Sequence, residues 1–546
     1  MNTVETLQEQ ARTFRSFDLR KAFTADRARA QTLALNWEGW RVDMSRQHVT
    51  TETLTSLRAH AEALDLRRWI AALFAGEKLN VSEDRSALHT ALRQRDDMPL
   101  TVGKSEERRN VITDIRAAQT AMRKLTEALR SGHYLGADGQ AIRAVVHIGI
   151  GGSLLGPRLA CDALWASDDF DVRFVANLDP EALRRALHGL DPATTLFVVV
   201  SKTFTTEETL ANARAAQAWL LKDKCVAQQS QRHFIAVTAN SEAAHAFGVP
   251  EAQILPFWDW VGGRFSLWSA VGVTLAIQSG WPIFEQLLNG AAAMDRHFRE
   301  APLTDNVPVT LALIDWWNTC FLQRRERVIA PYAEALRLLP MYLQQLLMES
   351  NGKRVRWDGE IVETPTTTAV WGGIGTDSQH AFFQWLHQGT HTATVEFIVP
   401  ALTGEMSRSG LAANALAQAQ ALMRGSEGKA PNDVRFCPGN VASTMLMLPK
   451  LDAWQLGALL ALYEHRTFIE GVLYGINPFD QFGVEIGKQL AQPLRAALEQ
   501  NQPLPPDTDA ATRQQLDYVV GIRSQSSNHE SPFMSGRPQV APTSDS

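Results

Sequence analysis

The sequence predicts an α/β protein built on mainly parallel sheets, and two observations lead to this fold class. From residue 144 onwards, short apolar runs rich in Val and Ile alternate with stretches of helical periodicity. The runs are apolar at consecutive positions, which is typical of strands buried on both faces, and the helical stretches are long enough for crossover connections. We therefore expect parallel strands covered by helices on both sides.

The first sheet is predicted from four of these runs, at 144–150, 172–176, 195–200 and 233–237. A second and less regular sheet is indicated by later apolar runs, at 327–332, 369–371 and 394–399. Ligands of parallel sheets bind beyond the carboxyl ends of the strands. The loops that follow residues 150 and 200 are therefore the first places to search for a site.

The two ends of the chain do not follow this pattern. Residues 3–130 carry Ala, Leu and Arg at helical spacing, and Ser82 is a candidate cap for a helix that would continue into an apolar stripe. Residues 523–546 are rich in Ser, Pro, Asn and Gln and contain few large apolar side chains. We expect a helical N-terminal segment and a mobile C-terminal tail.

Composition excludes several classes of protein. With 45% hydrophobic residues in 546, the chain is not mainly disordered. The balance of 53 Lys and Arg against 59 Asp and Glu gives a net charge of −6, which argues against an extended nucleic-acid surface or a polybasic membrane anchor. The longest apolar stretch, 453–463, is too short to span a membrane. The N-terminus shows no secretion signal, and the four cysteines are widely spaced, so we expect a cytoplasmic protein with reduced thiols.

A glycine-rich loop at 149–153 follows the first predicted strand and leads into a helix. Its glycines permit close backbone approach, and the helix start attracts anions. The loop lacks the last glycine of a dinucleotide-binding fingerprint, because Leu154 stands there, and it lacks the lysine of a P-loop. Ligand binding and a structural tight turn are both compatible with this loop.

The loop at 201–206 follows the third predicted strand and is unusually rich in hydrogen-bond donors. It reads Ser-Lys-Thr-Phe-Thr-Thr and precedes a helix that is predicted to start at Glu207. Four hydroxyl groups, one ammonium group and a helix N-terminus can together hold a phosphate monoester. An ordinary helix cap is the alternative, although two hydroxyls would be enough for it.

Glu349 is a candidate general base near the end of a predicted helix. Gln345 lies four residues earlier and shares its helix face, and Gly352 is expected to end the helix. The helix dipole and the neighbouring Leu346 and Met348 disfavour the charged carboxylate, as suits a proton acceptor. A solvated glutamate with no function is the alternative.

His380 is a candidate acid or base, and two cationic residues complete the set of candidates. A zinc site with His387 and His391 lacks an evident third ligand, and a hydrogen-bonded core histidine is also possible. Arg264 follows two glycines that allow it to approach a ligand, and Lys488 lies in the segment 477–488. Each cation taken singly could equally form a surface ion pair.

Taken together, these segments resemble the glucose-6-phosphate isomerase (phosphoglucose isomerase) family. The similarity runs from Ser82 to Lys488, with dense blocks at 148–157, 201–209, 259–272, 344–353, 371–390 and 459–488. The chain departs from the family pattern at Leu347, where an acidic residue is common, and at Val441, where an arginine is expected. Neither departure removes a candidate catalytic group, so we expect effects on local packing and rate only.

The resemblance implies a fold of two αβα sugar isomerase (SIS) domains with helical segments at both ends. The implied organisation is a helical N-terminal segment that packs with the large domain (1–115), a smaller first domain (116–289), a larger second domain (290–522) and the tail (523–546). It also implies the interconversion of glucose 6-phosphate and fructose 6-phosphate through a cis-enediol, without cofactor or metal.

The resemblance further implies a role for each candidate, by matched position. Glu349 would move the proton between C1 and C2, Arg264 would stabilise the developing charge, and His380 and Lys488 would open the sugar ring. The residues expected to contact the substrate are Ser201, Lys202, Thr203 and Thr206 for the phosphate, with Gly152, Ser153, Gly263, Gln345 and Gln481 around it and the sugar. Glu208 would orient the histidine, which the family takes from the neighbouring subunit, so the resemblance implies a homodimer.

Two alternatives remain open at this point. An isomerase of another sugar phosphate, such as mannose 6-phosphate, would need the same base and the same phosphate loop. A non-catalytic sugar-phosphate sensor would have no need for Glu349, His380 and Lys488 together, and no DNA-binding segment is visible.

Overall fold

The computed structural model describes residues 3–102, 109–165, 169–402, 409–426, 428–500 and 502–527. The chain falls into two units, one up to Asp480 and the other from Gln481. Within these ranges no helix combines the length and the apolar character that crossing a membrane would require.

The strands are short and are given in chain order: β1 (Ala34–Trp37), β2 (Trp40–Asp43), β3 (Thr101–Val102), β4 (Arg109–Asn110), β5 (Ala144–Ile148), β6 (Asp171–Val175), β7 (Thr195–Val200), β8 (Phe234–Thr238), β9 (Ile254–Pro256), β10 (Glu326–Pro331), β11 (Ala369–Gly372), β12 (Thr394–Leu402) and β13 (Ser443–Lys450).

The α-helices lie between and around these strands: α1 (Thr3–Thr13), α2 (Leu19–Ala25), α3 (Arg29–Thr32), α4 (Thr51–Ala63), α5 (Leu66–Ala75), α6 (Val111–Arg130), α7 (Leu155–Ala163), α8 (Pro180–Leu187), α9 (Glu207–Leu220), α10 (Lys224–Ala227), α11 (Ser241–Phe247), α12 (Val273–Ser279), α13 (Trp281–Glu300), α14 (Val307–Trp316), α15 (Leu339–Leu343), α16 (Gly375–Gln379), α17 (Phe383–Gln388), α18 (Ser409–Arg424), α19 (Ala453–Tyr474), α20 (Glu485–Gln500) and α21 (Ala510–Ser527).

The first sheet is entirely parallel, with the strand order β6-β5-β7-β8-β9. Successive residues of β7 enter two different cores, because side chains alternate between the faces of a strand. Leu196 and Val198 belong to one core, and Phe197 and Val199 belong to the other. The predicted burial on both faces is confirmed for β5, β7 and β8, whereas the edge strand β6 is only partly buried; the sequence pattern missed β9.

The second sheet has the order β1-β2-β13-β12-β10-β11. Strands β10 to β13 pair in parallel, whereas the hairpin β1-β2 is antiparallel and pairs with β13. In β10, Val328 and Ala330 face one core and Ile329 faces the other. The predicted α/β class with mainly parallel sheets is therefore confirmed, with an antiparallel edge on the second sheet.

The N-terminal segment is not purely helical, which corrects the prediction. Glu38 and Gly39 have φ values of 45° and 80°, and this left-handed pair makes the tight turn of the hairpin β1-β2. Ser82 also does not cap a helix. It lies in a short 3₁₀ turn, Val81–Glu83, and its hydroxyl donates to the Asp480 carboxylate over 2.5 Å.

The second unit contains α20 and α21. The last helix continues to Ser527, which corrects the predicted start of the tail at Arg523. The rest of the predicted tail, 528–546, lies outside the described residues.

Candidate active site

A buried arginine beside a carboxylate forms the centre of the candidate site. The side chain of Arg264 is only 1% exposed, and its Nη1 lies 3.4 Å from Oε2 of Glu349. Its Nε donates to Ser350 Oγ over 2.6 Å, and its Nη2 donates to the carbonyls of Pro478 (2.6 Å) and Asp480 (3.1 Å). The guanidinium is thus fixed on several sides, and the alternative of a surface ion pair for Arg264 is wrong.

Glu349 remains partly open to solvent although the two residues that follow it are buried. It ends a π-helical segment, Gln344–Glu349, which continues α15, and 23% of its side chain is exposed. Ser350 and Asn351, which follow it, are fully buried, and Asn351 Nδ2 donates to the Thr467 carbonyl in α19 over 3.0 Å. π-Helical turns are frequent at functional sites, because they displace side chains from the regular helical path. Here the segment places a carboxylate with an open side against a buried cation.

Lys353 and Asp480 support the backbone around Arg264, and sequence reasoning missed both of them. Lys353 Nζ donates to the carbonyls of Ser350 (2.9 Å), Asn477 (3.0 Å) and Asp480 (2.8 Å), and it pairs with the Asp480 carboxylate at 3.0 Å. Burial, and secondly the nearby Arg264, lower the pKa of Lys353. Lys353 lies in the block 344–353 and Asp480 lies in the block 459–488, so both belong to segments that the sequence analysis had singled out. Neither residue type indicates a supporting role by itself.

The glycine loop at 149–153 contacts the loop that carries Arg264. A Cβ on Gly152 would overlap the backbone of Gly263, so only glycine permits this approach. Ser266 Oγ donates to the carbonyls of Gly263 (2.6 Å) and Gly152 (3.3 Å), which joins the two loops. Gln345 lies against the same loop, since a Cβ on Gly151 would lie 3.0 Å from its Nε2. Ser153 is held by its carbonyl, which accepts from His147 Nε2 over 2.7 Å.

The donor-rich loop after β7 has hydroxyls that bond to one another. Ser201 Oγ lies 3.0 Å from Thr206 Oγ1, and Thr203 Oγ1 lies 2.7 Å from Thr205 Oγ1. Thr206 occupies the cap position of α9, but its side chain makes no capping hydrogen bond. The Thr206 hydroxyl therefore does not cap α9, which argues against the helix-cap alternative for this residue.

Lys202 joins this loop to the stretch that leads to Arg264. Its Nζ donates to the carbonyls of Asp259 (2.8 Å) and Val261 (3.2 Å), and its ammonium lies 5.8 Å from the centre of the Phe257 ring. Burial lowers the pKa of Lys202, although Asp259 partly opposes this. The two predicted loops, 149–153 and 201–206, are therefore both linked by direct contacts to the segment 261–264 that carries Arg264.

The remaining candidates lie on other elements of the chain. Glu208 is half-buried in the first turn of α9. His380 is exposed directly after α16, so the core-histidine alternative is wrong, and none of its described side-chain contacts reaches the pair. Gln481 precedes a 3₁₀ turn and Lys488 lies in α20, both in the second unit.

The described residues contain no group of three or more His, Cys, Asp or Glu side chains arranged to hold a metal ion. His387, one partner in the zinc alternative, instead contacts Gln418, with Nε2 and Oε1 3.0 Å apart.

Comparisons with known proteins show the family to which the chain is similar. The phosphoglucose isomerase family model matches residues 43–516. Glucose-6-phosphate isomerase 2 of Cupriavidus pinatubonensis is 46% identical over 93% of this chain and 96% of its own length. Glucose-6-phosphate isomerase 1 of Thiobacillus denitrificans is 44% identical over 90% of this chain and 93% of its own length.

The same relationship holds in three dimensions. The crystal structure of a glucose-6-phosphate isomerase from Chlamydia trachomatis superposes with a TM-score of 0.82 at 30% identity, over 96% of this chain and 99% of the other. Since the family model and these relatives span nearly the whole chain, the chain belongs to the phosphoglucose isomerase family of enzymes.

Proposed function

We propose that Glu349 and Arg264 carry the reversible isomerisation of D-glucose 6-phosphate to D-fructose 6-phosphate in this chain. The relatives that it matches over nearly their full length are named for this substrate. The observation that supports the assignment of residues is the loose 3.4 Å contact between a partly exposed carboxylate and a fully buried guanidinium.

In the proposed reaction, Glu349 accepts the proton from C2 of the open-chain aldose. The electron pair of that C–H bond forms the C1=C2 double bond, and the carbonyl pair moves onto O1. Return of the proton from Glu349 to C1, with transfer of one proton from O2 to O1, gives the ketose. A carboxylate within reach of both carbons is sufficient for both transfers.

Arg264 stabilises the negative charge that develops on oxygen in the enediol intermediate. Its guanidinium is held by Ser350 and by two carbonyls before the substrate arrives, so little reorganisation is needed during the reaction. The burial of the side chain strengthens the interaction, because the local dielectric is low.

The substrate phosphate is proposed to bind the loop of Ser201, Lys202, Thr203 and Thr206 at the start of α9. The joined loops around Gly152, Ser153 and Gly263, with Gln345 beside them, are proposed to contact the sugar. We propose that Gln481 contributes a further polar contact to the sugar phosphate.

Ring opening is assigned to His380 and Lys488, with Glu208 orienting the histidine. Because His380 is exposed and has no described contact with the pair, we propose that it serves the site of a neighbouring copy in a homodimer.

The domain organisation stays a prediction, and its boundaries at 115/116 and 289/290 fall within α6 and α13. A cytoplasmic location is proposed from the substrate alone.

The test is a coupled assay with fructose 6-phosphate on the wild type, Glu349→Gln and, as a matched control, Glu363→Gln, which changes an exposed glutamate. We expect Glu349→Gln to lower kcat by about 10²- to 10⁴-fold and to keep its binding of fructose 6-phosphate in calorimetry. The control should keep the wild-type rate. Near-normal turnover of Glu349→Gln would contradict the assignment of the base.

A further inference from the structure

A second cationic cavity lies away from the candidate active site. It has a volume of about 490 Å³ and is bordered by the end of α1 and the residues after it, by His48, and by the segment 320–324 that precedes β10. None of its lining residues belongs to the loops or to the supporting residues of the candidate active site. We call it the arginine cavity, after Arg12, Arg15 and Arg324, which line it.

The charge in the arginine cavity has one sign. Three arginines line it, and its described lining contains neither Asp nor Glu. Arg12 and Arg15 are exposed at its mouth, and no described carboxylate forms an ion pair with either of them. Three guanidinium groups close together repel one another unless an anion lies between them.

Arg324 is the buried member of the three. It is only 7% exposed, and its described guanidinium contacts are to neutral atoms, His48 Nδ1 and, at 3.4 Å, Asn318 Oδ1. Burial lowers the pKa of Arg324 to about 10, so that it stays charged at neutral pH. A buried charge is costly unless it is paired.

Four of the five other buried arginines of the described residues have carboxylate partners, and the fifth, Arg29, donates to three backbone carbonyls. Arg93 pairs with Asp295 and Glu464, and Arg466 pairs with Asp315 and Glu396. Arg324 differs from all of them, because its described guanidinium contacts include neither a carboxylate nor a backbone carbonyl.

His48 orients Arg324 but does not add charge. Its Nε2 lies 3.0 Å from the Asn440 carbonyl, which only accepts, so Nε2 carries the proton and Nδ1 can accept from Arg324. Burial, and secondly Arg324, hold the pKa of His48 well below its usual range. The neutral imidazole thus leaves the positive charge of Arg324 unneutralised.

We propose that the arginine cavity binds a small, multiply charged phosphate compound, such as a phosphate ester or a polyphosphate, at a site separate from the reaction. Arginine forks match phosphate oxygens in pairs, and the cavity is within the size range of small-molecule sites. The rings of Phe17 and Phe321 also line it and can contact an uncharged organic part.

The test is a calorimetric titration with pyrophosphate on the full chain that carries Ser201→Ala and Thr206→Val, which removes hydroxyls from the reaction-site phosphate loop. We expect one equivalent of pyrophosphate to bind. In this background, Arg12→Gln with Arg15→Gln should weaken binding by about tenfold or more. The matched control, Arg27→Gln with Arg67→Gln, neutralises two exposed arginines outside the cavity and should leave the affinity within about twofold.

A second variant avoids any loss of arginine packing. Gln323→Glu adds a carboxylate to the lining at an exposed position, and it should also weaken pyrophosphate binding. The absence of binding in the loop variant, or equal weakening by the control pair, would overturn the proposal. Tight binding of citrate with weak binding of pyrophosphate would overturn the assignment to phosphate compounds.

Discussion

The guanidinium of Arg264 approaches the carboxylate of Glu349 only to 3.4 Å, which is longer than a well-formed N–H···O hydrogen bond. The same guanidinium is held more tightly elsewhere, with Ser350 Oγ at 2.6 Å. The cation is therefore fixed mainly by groups that do not react, and the carboxylate remains available to a substrate.

Ser350→Ala is predicted to reduce kcat by about tenfold with little change in KM, because Arg264 keeps its charge but loses the acceptor that aims it. Steady-state kinetics with fructose 6-phosphate measure the effect. Ser279→Ala, which removes a hydroxyl that donates to the Leu164 carbonyl, is the control and should leave kcat unchanged. If Ser350→Ala lowers only the melting temperature, the positioning role of Ser350 is wrong.

Thr206→Val is predicted to raise KM for the sugar phosphate by about tenfold without weakening the helix, because the Thr206 side chain does not cap α9. The contrasting variant is Asp223→Ala, whose carboxylate caps α10 through two backbone N–H groups. It should lower the free energy of unfolding by about 1 kcal/mol and leave KM unchanged. Urea unfolding and steady-state kinetics on both variants separate the two roles, and a loss of stability without a change in KM for Thr206→Val would favour the cap alternative.

The stability of the protein is predicted to fall in acid partly through His147. Burial lowers the pKa of this histidine to about 4 in the folded state, against an ordinary value near 6.5. Between these values the unfolded chain binds a proton that the folded chain does not, so stability is retained above pH 6.5 and lost as the pH falls towards 4. From pH 6.5 to 5 the loss amounts to about 2 kcal/mol.

Replacing His147 by Gln removes this titration. The urea midpoint of His147→Gln should fall less steeply between pH 6.5 and 5 than that of the wild type, although the variant is less stable at pH 7. Parallel curves for the two proteins would show that His147 does not contribute to the acid sensitivity.

Mixing Glu349→Gln with His380→Ala subunits is predicted to restore activity, if each site takes its histidine from the neighbouring copy. Random exchange makes half of the dimers mixed, and each mixed dimer has one intact site, so about a quarter of the wild-type sites return. Mixing Glu349→Gln with Arg264→Gln is the control, since both residues lie on the same copy and every site stays defective. A lack of recovery in proven mixed dimers would count against shared sites.

The sequence was informative where one residue type determines the local structure. The strand β7 was predictable because five consecutive apolar residues are typical of a strand that is buried on both faces. The loop after it was predictable because its hydrogen-bond donors are adjacent in the chain. The hairpin β1-β2 was missed, because its partner strand, β13, lies some 400 residues later and the turn at Glu38 and Gly39 is not the usual Asn-Gly.

The supporting groups of the site were less predictable for a related reason. Lys353 donates to three backbone carbonyls, and Asp480 contacts Ser82 and Lys353. Ser82, Lys353 and Asp480 lie far apart in the chain. Every residue has a backbone carbonyl, so a contact with a carbonyl cannot be predicted from the type of residue that provides it. The candidate catalytic and binding residues could therefore be predicted from their side chains, whereas the groups that hold them in place could be identified only from the fold.

The contact of Gly152 with Gly263 has a consequence for thermal motion at the site. Side chains change rotamer on the picosecond to nanosecond scale, so a spacing set by two side chains would fluctuate with them. Here main-chain atoms in direct contact set the spacing between the two loops, and the two glycines have no side-chain rotamers. The distance between the glycine loop at 149–153 and the loop that carries Arg264 should accordingly fluctuate less than most distances between loops of the protein.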